Sequence, residues 1–210
     1  MADERVATGS REGEELRAGD AGQALDAALV GQAARGELAA FNQLVVRHQD
    51  RLYALVFRLV PDRDQAADVV QEAFFSAYRN LGSFRGGSVA SWLGRIAINA
   101  AMDLQRARRR RPVQPYPELE DESWQPPAGN EVEPEATTVA AERSRALAAA
   151  LSRLPSEQRD SIVLYDVEGY DYGEIAVAMK VSVGTVKSRI HRGRVALRRV
   201  LEPKRELFRD

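Results

Sequence analysis

Residues 182–201 read SVGTVKSRIHRGRVALRRVL. Valine, isoleucine and leucine recur in this stretch at steps of three, four and seven, the spacing of the buried face of a helix. Ser182 is a residue type that caps helix N-termini, so the pattern predicts a helix over 183–201. No acidic residue lies between Lys180 and Val200. The basic residues there are Lys180, Lys187, Arg189, Arg192, Arg194, Arg198 and Arg199.

A shorter helix is predicted just before this one, over Tyr172–Met179. Asp171 can cap it, and Glu174 lies three residues further on, as in a capping box. Two turns of helix, a short turn and a longer helix form the layout of a helix-turn-helix. The residues expected in its small shared core are Ile175, Ala176, Met179, Val181, Val186 and Ile190.

Four polar residues fall on one exposed face of the longer helix, namely Lys187, Ser188, His191 and Arg192. Their donors suit base edges and phosphates in a major groove. The first turn, Gly184–Thr185, also offers backbone N–H groups to a phosphate. A solvated charged face is the ordinary alternative, but a run of single sign favours DNA binding.

The remaining helical segments are predicted on both sides of a change in composition. Their expected bounds are about Leu38–Leu59, ended by Pro61, then Arg63–Asn80, Val89–Arg110, Val139–Leu154 and Ser156–Glu168, ended by Gly169. Between Pro112 and Ala136 the chain is rich in proline and carboxylates and has no Lys or Arg. Such a segment buries no core and, at about 3.3 Å per residue, extends up to roughly 80 Å.

The predicted fold class is therefore all-α, with two small helical domains joined by a flexible acidic linker and a helix-turn-helix in the second domain. No alternation typical of strands is present. The division that we expect is a disordered tail over 1–24, a first domain over 25–111, the linker over 112–137, a second domain over 138–203 and a tail over 204–210.

Composition excludes several classes of protein. The 210 residues carry a net charge of −1 and no cysteine, so disulfides and thiolate zinc sites are excluded and a cytoplasmic location is expected. The N-terminus does not have the pattern of a signal peptide, and no apolar run is long enough for membrane insertion. The two histidines, His48 and His191, fall in unrelated helices, and we expect His48 on a helix surface. With no phosphate loop or nucleophile motif, we expect no enzyme, cofactor or metal.

The residues 184–190, GTVKSRI, followed by Arg192-Gly193-Arg194, resemble the promoter −35-reading helix of extracytoplasmic-function (ECF) sigma factors. The lead-in, Leu154-Pro155 and later 172–176, YGEIA, is similar to the same domain of that family. The family often has glycine where this chain has Lys180. A left-handed lysine there costs roughly 1 kcal/mol, unless the turn takes another shape. The resemblance implies −35 contacts from Lys187, Ser188, His191 and Arg192, with Thr185 and Arg189 as lesser candidates.

In the first domain, residues 68–74, DVVQEAF, resemble the family's helix that binds core RNA polymerase. Helical spacing puts Asp64, Asp68, Gln71 and Glu72 on one face, opposite Val69, Val70 and Phe74. From composition alone, a solvated face is the simpler interpretation. The match of residues 68–74 to the family motif, in order, favours a polymerase-binding face instead. The resemblance implies core polymerase binding by Asp68, Gln71, Glu72 and Phe74.

Residues 83–86, SFRG, and 92–99, WLGRIAIN, resemble the segment that melts and reads the −10 element. Melting needs aromatic surface for stacking, which Phe84 on a glycine-flanked loop can supply, although a core role for it is equally compatible. We expect Trp92 in the core. The implied −10 contacts are Phe84, Arg85, Asn99 and Arg106. The arginines 106 and 108–111 suit either the helix dipole or phosphates.

The resemblance implies three partners: core RNA polymerase, promoter DNA and, as a further candidate, an anti-sigma factor. A stand-alone helix-turn-helix regulator is the alternative, but it gives no role to the segments 68–74 and 84–99. A helical adaptor that does not touch DNA leaves the basic helix 183–201 unexplained.

Overall fold

The structure is a computed structural model that describes residues 21–110 and 134–208. Every regular element in these ranges is helical, which confirms the all-α class. The α-helices are α1 (21–34), α2 (Leu38–Leu59), α3 (Arg63–Arg79), α4 (Val89–Arg110), α5 (Pro134–Ser152), α6 (Ser156–Ile162), α7 (Tyr172–Met179) and α8 (Val183–Leu201). The 1–20 tail and the 112–133 part of the predicted linker lie outside the described residues.

The chain divides into two compact units, up to Ala101 and from Met102. In the first unit, α2 and α3 pack against each other through the apolar faces that the sequence predicts. The α3 residues expected to face inward are all buried, namely Ala66, Val69, Val70, Ala73, Phe74 and Ala77. Asp62 caps α3, since its Oδ1 accepts a hydrogen bond of 3.0 Å from the Gln65 N–H.

In the second unit, α6 and α8 cross at close range. Gly193 of α8 is buried, and a Cβ atom placed on it would lie 2.6 Å from Ile162 Cδ1 of α6. Ile162 and Ile190 are also buried at this crossing. A side chain on residue 193 would therefore force Ile162 to shift, so glycine allows the two helices to approach this closely.

Two helices differ from their predicted bounds. α5 begins at Pro134 rather than near Val139, because proline is favoured in the first turn of a helix and the acidic composition around it hides that start. The segment predicted as one helix over Ser156–Glu168 is α6 followed by a π-helical turn, Val163–Val167. Gly169, with φ of 73°, ends it as expected.

The expectation that His48 lies on a helix surface is wrong. His48 is buried, and its Nε2 lies 2.9 Å from Oδ2 of the buried Asp26. Arg47 Nε donates to Oδ1 of the same carboxylate at 2.7 Å. The reason is α1, which the sequence analysis did not separate as a helix and which supplies Asp26 to this face of α2.

Candidate nucleic-acid interface

The helix-turn-helix is built by side chains that satisfy the free N–H groups at the start of each helix. Asp171 Oδ1 accepts from the Glu174 N–H at 2.8 Å, and Glu174 Oε2 accepts from the Asp171 N–H at 3.1 Å, a complete capping box. Ser182 Oγ accepts from the Thr185 N–H at 3.1 Å and caps α8. Both predicted caps are confirmed, so the start of the recognition helix α8 is fixed.

Of the two alternatives for the turn between α7 and α8, a left-handed Lys180 or a turn of another shape, the structure has the left-handed lysine. Lys180 has φ of 55° and ψ of 47°. Its ammonium lies 3.3 Å from Asp103 Oδ1. Asp103 also accepts from Arg106, and these hydrogen bonds, that from Arg106 foremost, lower the pKa of the Asp103 carboxyl. The left-handed conformation of Lys180 costs about 1 kcal/mol of backbone strain, and the turn between α7 and α8 retains it.

The four main −35 candidates do share one exposed face of α8, as predicted. Lys187, Ser188, His191 and Arg192 are all exposed. Arg192 donates through Nη2 to the Ser188 hydroxyl at 3.0 Å and through Nε to the Ser188 carbonyl at 3.3 Å. Ser188 therefore orients the guanidinium along the helix, with other donors of the fork still available to a phosphate or a base edge.

The two lesser −35 candidates, Thr185 and Arg189, make contacts inside the second unit. The Arg189 guanidinium donates to Glu157 Oε2 at 2.7 Å, and only 14% of its side chain is exposed. Thr185 is half-buried, with its hydroxyl 2.9 Å from that of Ser182. Arg189 therefore connects α8 to α6, and Thr185 contacts the residue that caps α8.

A pair of stacked tyrosines adjoins the recognition face. The rings of Tyr165 and Tyr172 lie 4.5 Å apart and 7° from parallel. A hydrogen bond with Tyr172 raises the pKa of the Tyr165 hydroxyl. Lys187 Nζ lies 5.2 Å from the centre of the Tyr172 ring. Sequence reasoning missed this pair, because Tyr165 sits in the π-helical turn and no spacing rule joins it to Tyr172.

On the first unit, the α3 face expected to bind polymerase is solvent-exposed. Asp68, Gln71 and Glu72 are exposed, and Glu72 Oε1 lies 2.9 Å from Arg79 Nη2. Phe74, by contrast, is buried and meets Phe41 edge-on, so it supports this face from below.

Beside that face lies a groove of about 580 Å³ between α2 and α3. Phe41, Val45, Phe74, Phe75 and Tyr78 contribute to its largely apolar lining. Phe75 is 55% exposed, which is unusual for a large apolar side chain. The groove is not predictable from the sequence, since its two walls belong to different helices, although the consecutive Phe74 and Phe75 indicate that one phenylalanine must face outward.

The −10 candidates are placed on two parts of the chain. Phe84 is half-buried, with its ring 5.5 Å from that of Trp92. Trp92 is buried as expected, and its Nε1 lies 3.3 Å from the Ser83 hydroxyl. Arg85 and Asn99 are exposed. These residues belong to the first unit. Because Phe84 packs against Trp92 and is only half-buried, part of its ring is exposed.

Arg106 falls in the second unit, where it serves local contacts. Its Nη2 donates to Asp103 Oδ1 at 2.6 Å and its Nη1 to the carbonyl of Ala178 at 3.3 Å. The structure therefore brings Arg106 to α7 and the helix-turn-helix turn, whereas Phe84, Arg85 and Asn99 remain together in the first unit.

Across residues 21–110 and 134–208, no group of three or more acidic, histidine or cysteine side chains is arranged to hold a metal ion. Nor does any helix in these ranges reach both the length and the hydropathy that crossing a bilayer demands.

Two family models match the chain, one on each side of the acidic segment. Residues 44–111 match sigma-70 region 2, and residues 144–197 match sigma-70 region 4. The RNA polymerase sigma-H factor of Pseudomonas aeruginosa is 40% identical over 185 residues, covering 86% of this chain and 96% of the relative. The ECF RNA polymerase sigma-E factor of Escherichia coli K12 is 40% identical over 187 residues, with the same shares of 86% and 96%.

Solved structures give the same likeness. CnrH, in complex with the cytosolic domain of CnrY, is 29% identical with a TM-score of 0.53, over 85% of this chain and 98% of CnrH. The sigma factor RpoE of Bartonella quintana, in complex with the anti-sigma factor NepR, is 25% identical with a TM-score of 0.54, over 77% and 96% of the two chains.

Proposed function

The chain belongs to the ECF group of the sigma-70 family of RNA polymerase sigma factors, and from this premise we propose how its residues divide the work of promoter recognition. It binds core RNA polymerase and promoter DNA and directs transcription initiation. We assign −35 reading to α8, core binding to the exposed face of α3, and −10 reading to the segment 84–99. The proposed domains are the two expected from the sequence, 25–111 and 138–203, each extended at its start by helical residues, 21–24 of α1 and 134–137 of α5.

The observation that carries the proposal is the face of α8. It presents Lys187, Ser188, His191 and Arg192 to solvent, and the sequence from Lys180 to Val200 has no acidic residue. A helix with donors on one face and no carboxylate among them suits a major groove, where guanine presents two acceptors and phosphates flank the base edges. Thr185 and Arg189 contribute by holding the helix in place.

Core binding is proposed for Asp68, Gln71 and Glu72, with Phe74 supporting them. Their exposed polar face adjoins an apolar groove, and protein interfaces combine an apolar centre with a polar rim. A basic surface of the polymerase core is the partner that such a face would attract.

For the −10 element, Phe84 supplies a stacking surface beside a loop that Gly86 and Gly87 keep open with φ of 96° and 83°. Arg85 is available to a phosphate and Asn99 to a base edge. Arg106 is the weakest of the four candidates, because its Nε, Nη1 and Nη2 atoms each already donate a hydrogen bond, to Asp103 or to the Ala178 carbonyl.

An anti-sigma factor is proposed as a further partner, because the similar Bartonella quintana RpoE was solved in complex with one. We also propose a cytoplasmic location, where bacterial RNA polymerase works, and no catalytic activity of the chain's own. The phosphodiester chemistry then belongs to the polymerase core.

In vitro transcription with core polymerase tests the proposal. The purified chain should give start sites on genomic DNA fragments that core polymerase alone does not use. Mapping those start sites yields the −10 and −35 sequences. A chain that associates with core polymerase but selects no start site would contradict the assignment of promoter reading to these residues.

A further inference from the structure

Two tyrosines outside every predicted site lie against the recognition helix. We propose that Tyr165 and Tyr172 form a stacked platform that positions the Lys187 ammonium and so sharpens its preference for one base pair of the −35 element. This inference rests on the proposed DNA-reading role of Lys187. The two tyrosines act as positioning residues, and Lys187 itself makes the contact.

The stack has the geometry of a cation platform. Its ring centres lie 4.5 Å apart and its ring planes are 7° from parallel. Lys187 Nζ lies over Tyr172 at 5.2 Å from the ring centre, within the range in which a ring face attracts a cation. Both tyrosines are half-buried, so one side of the stack is supported by the protein.

The other end of the stack is anchored. The Arg194 guanidinium lies 5.4 Å from the centre of the Tyr165 ring. Asp166 accepts from Arg194 Nε at 3.0 Å and from Nη2 as well, so this arginine is held by a two-pronged ion pair. Arg194 thereby fixes the position of Tyr165, on which Tyr172 stacks.

Helical spacing brings both cations to the stack. Lys187 and Arg194 are seven residues apart in α8 and lie on the same face, with a rise of roughly 10 Å between them. One cation lies against Tyr172 and the other against Tyr165. Gly169, with φ of 73°, reverses the chain between the π-helical turn and α7, which allows the two tyrosines to meet.

A platform matters for lysine more than for arginine. The lysine side chain has many rotamers and a compact ammonium that contacts nucleic acid as a point charge, without a fixed fork. Left alone, it satisfies many acceptors in a groove equally well. Holding the ammonium over Tyr172 restricts where it reaches, so the acceptors of one base pair are favoured over their neighbours.

The test uses the full chain assembled with core polymerase and a promoter pool randomised through the −35 element. Sequencing the bound fraction gives the preference at each position. Lys187→Ala identifies the position that Lys187 reads. Tyr172→Leu should lower the preference at that position about two- to fivefold, the effect of losing one exposed cation–ring contact. Tyr172→Phe keeps the ring and should retain the preference.

The double variant makes the test specific. Tyr172→Leu in a Lys187→Ala background should change nothing further, because the platform acts only through the lysine. If Tyr172→Leu lowers binding equally at all positions, or does so in that background too, the platform is wrong and the tyrosine acts on DNA or on folding by itself. Core binding, which uses α3, serves as the control for an intact protein.

A second measurement separates the platform from the proposed function. The chain has three lysines, Lys180, Lys187 and Lys204, so NMR of lysine-labelled protein resolves each side chain. The methylenes of Lys187 should show an upfield ring-current shift that Tyr172→Leu removes and Tyr172→Phe retains. Absence of that shift overturns the platform. If the shift is present but Lys187→Ala alters no base preference, then the DNA role of Lys187 is wrong and the specificity claim falls with it.

Discussion

The exposed face of α3 and the exposed face of α8 are both polar, yet they differ in composition and in the partner that each is proposed to bind. α8 offers cationic and hydroxyl donors and is supported from behind by caps and by the Arg189–Glu157 pair. α3 offers Asp68, Gln71 and Glu72 beside an apolar groove with an exposed Phe75.

A DNA-binding face and a protein-binding face can be distinguished by their physical chemistry. Contact with DNA is made through charge and hydrogen bonds with little apolar area, and its strength falls with salt. Contact with protein needs buried apolar area at its centre, with charge at the rim to steer association. Substitutions on α3 should therefore weaken core binding, and substitutions on α8 should weaken promoter binding.

The largest effect is expected from charge reversal on α3. Asp68→Lys combined with Glu72→Lys should weaken binding to core polymerase more than about tenfold, because opposite charges in an interface become like charges. Anisotropy titration of labelled protein with core measures this. Glu142→Lys combined with Glu202→Lys makes the same change in net charge on exposed acids of the second unit; it is the matched control and should have a small effect. Equal losses from both reversals would mean that net charge, not the α3 face, governs association.

Next in size is truncation on α8. Lys187→Ala in the assembled polymerase complex should weaken −35-dependent promoter binding by about 1–3 kcal/mol and reduce the slope of log affinity against log salt by about one. Lys204→Ala removes an exposed lysine beyond α8 and should leave both quantities nearly unchanged. Association with core should be the same for both variants. A loss of core binding with Lys187→Ala would contradict the assignment of core binding to α3 and of DNA reading to α8.

A smaller effect is expected from a substitution at the α6–α8 crossing, which is not part of the proposed DNA-reading face. Gly193→Ala places a methyl group against Ile162 and should lower the free energy of unfolding by about 1 kcal/mol, since overpacking outweighs the gain in helix propensity. Gly184→Ala, whose nearest neighbour would be the Ser182 hydroxyl at 3.8 Å, is the control and should be neutral or stabilising. Thermal unfolding followed by circular dichroism distinguishes them. A stabilised Gly193→Ala variant would show that the crossing is looser than the structure indicates.

Local features were predictable from the sequence, and features that depend on two helices meeting were not. Asp171, Ser182 and Gly169 act within one turn of chain, so their residue types alone predicted the caps and the helix end. The groove between α2 and α3 and the stack of Tyr165 on Tyr172 arise only when separate elements pack together. The ion pair of Arg189 with Glu157 has the same origin, since helical spacing places Arg189 near the buried Val186 and Gly193 but does not predict that its partner is a carboxylate of α6.

The smallest expected effect concerns the turn that places α8 after α7. Lys180→Gly should raise the free energy of unfolding by about 0.5 kcal/mol, because glycine adopts the left-handed conformation without the strain of a Cβ atom, while the more flexible unfolded chain offsets part of that gain. The exposed ion pair with Asp103 that is lost contributes little in water. Lys180→Ala removes the same pair but keeps the strain, so it should be no more stable than the parent chain. Urea unfolding of the three proteins measures the differences. If glycine and alanine prove equally stable, the turn is not strained, and the support of the recognition face comes from the caps and the α6–α8 crossing alone.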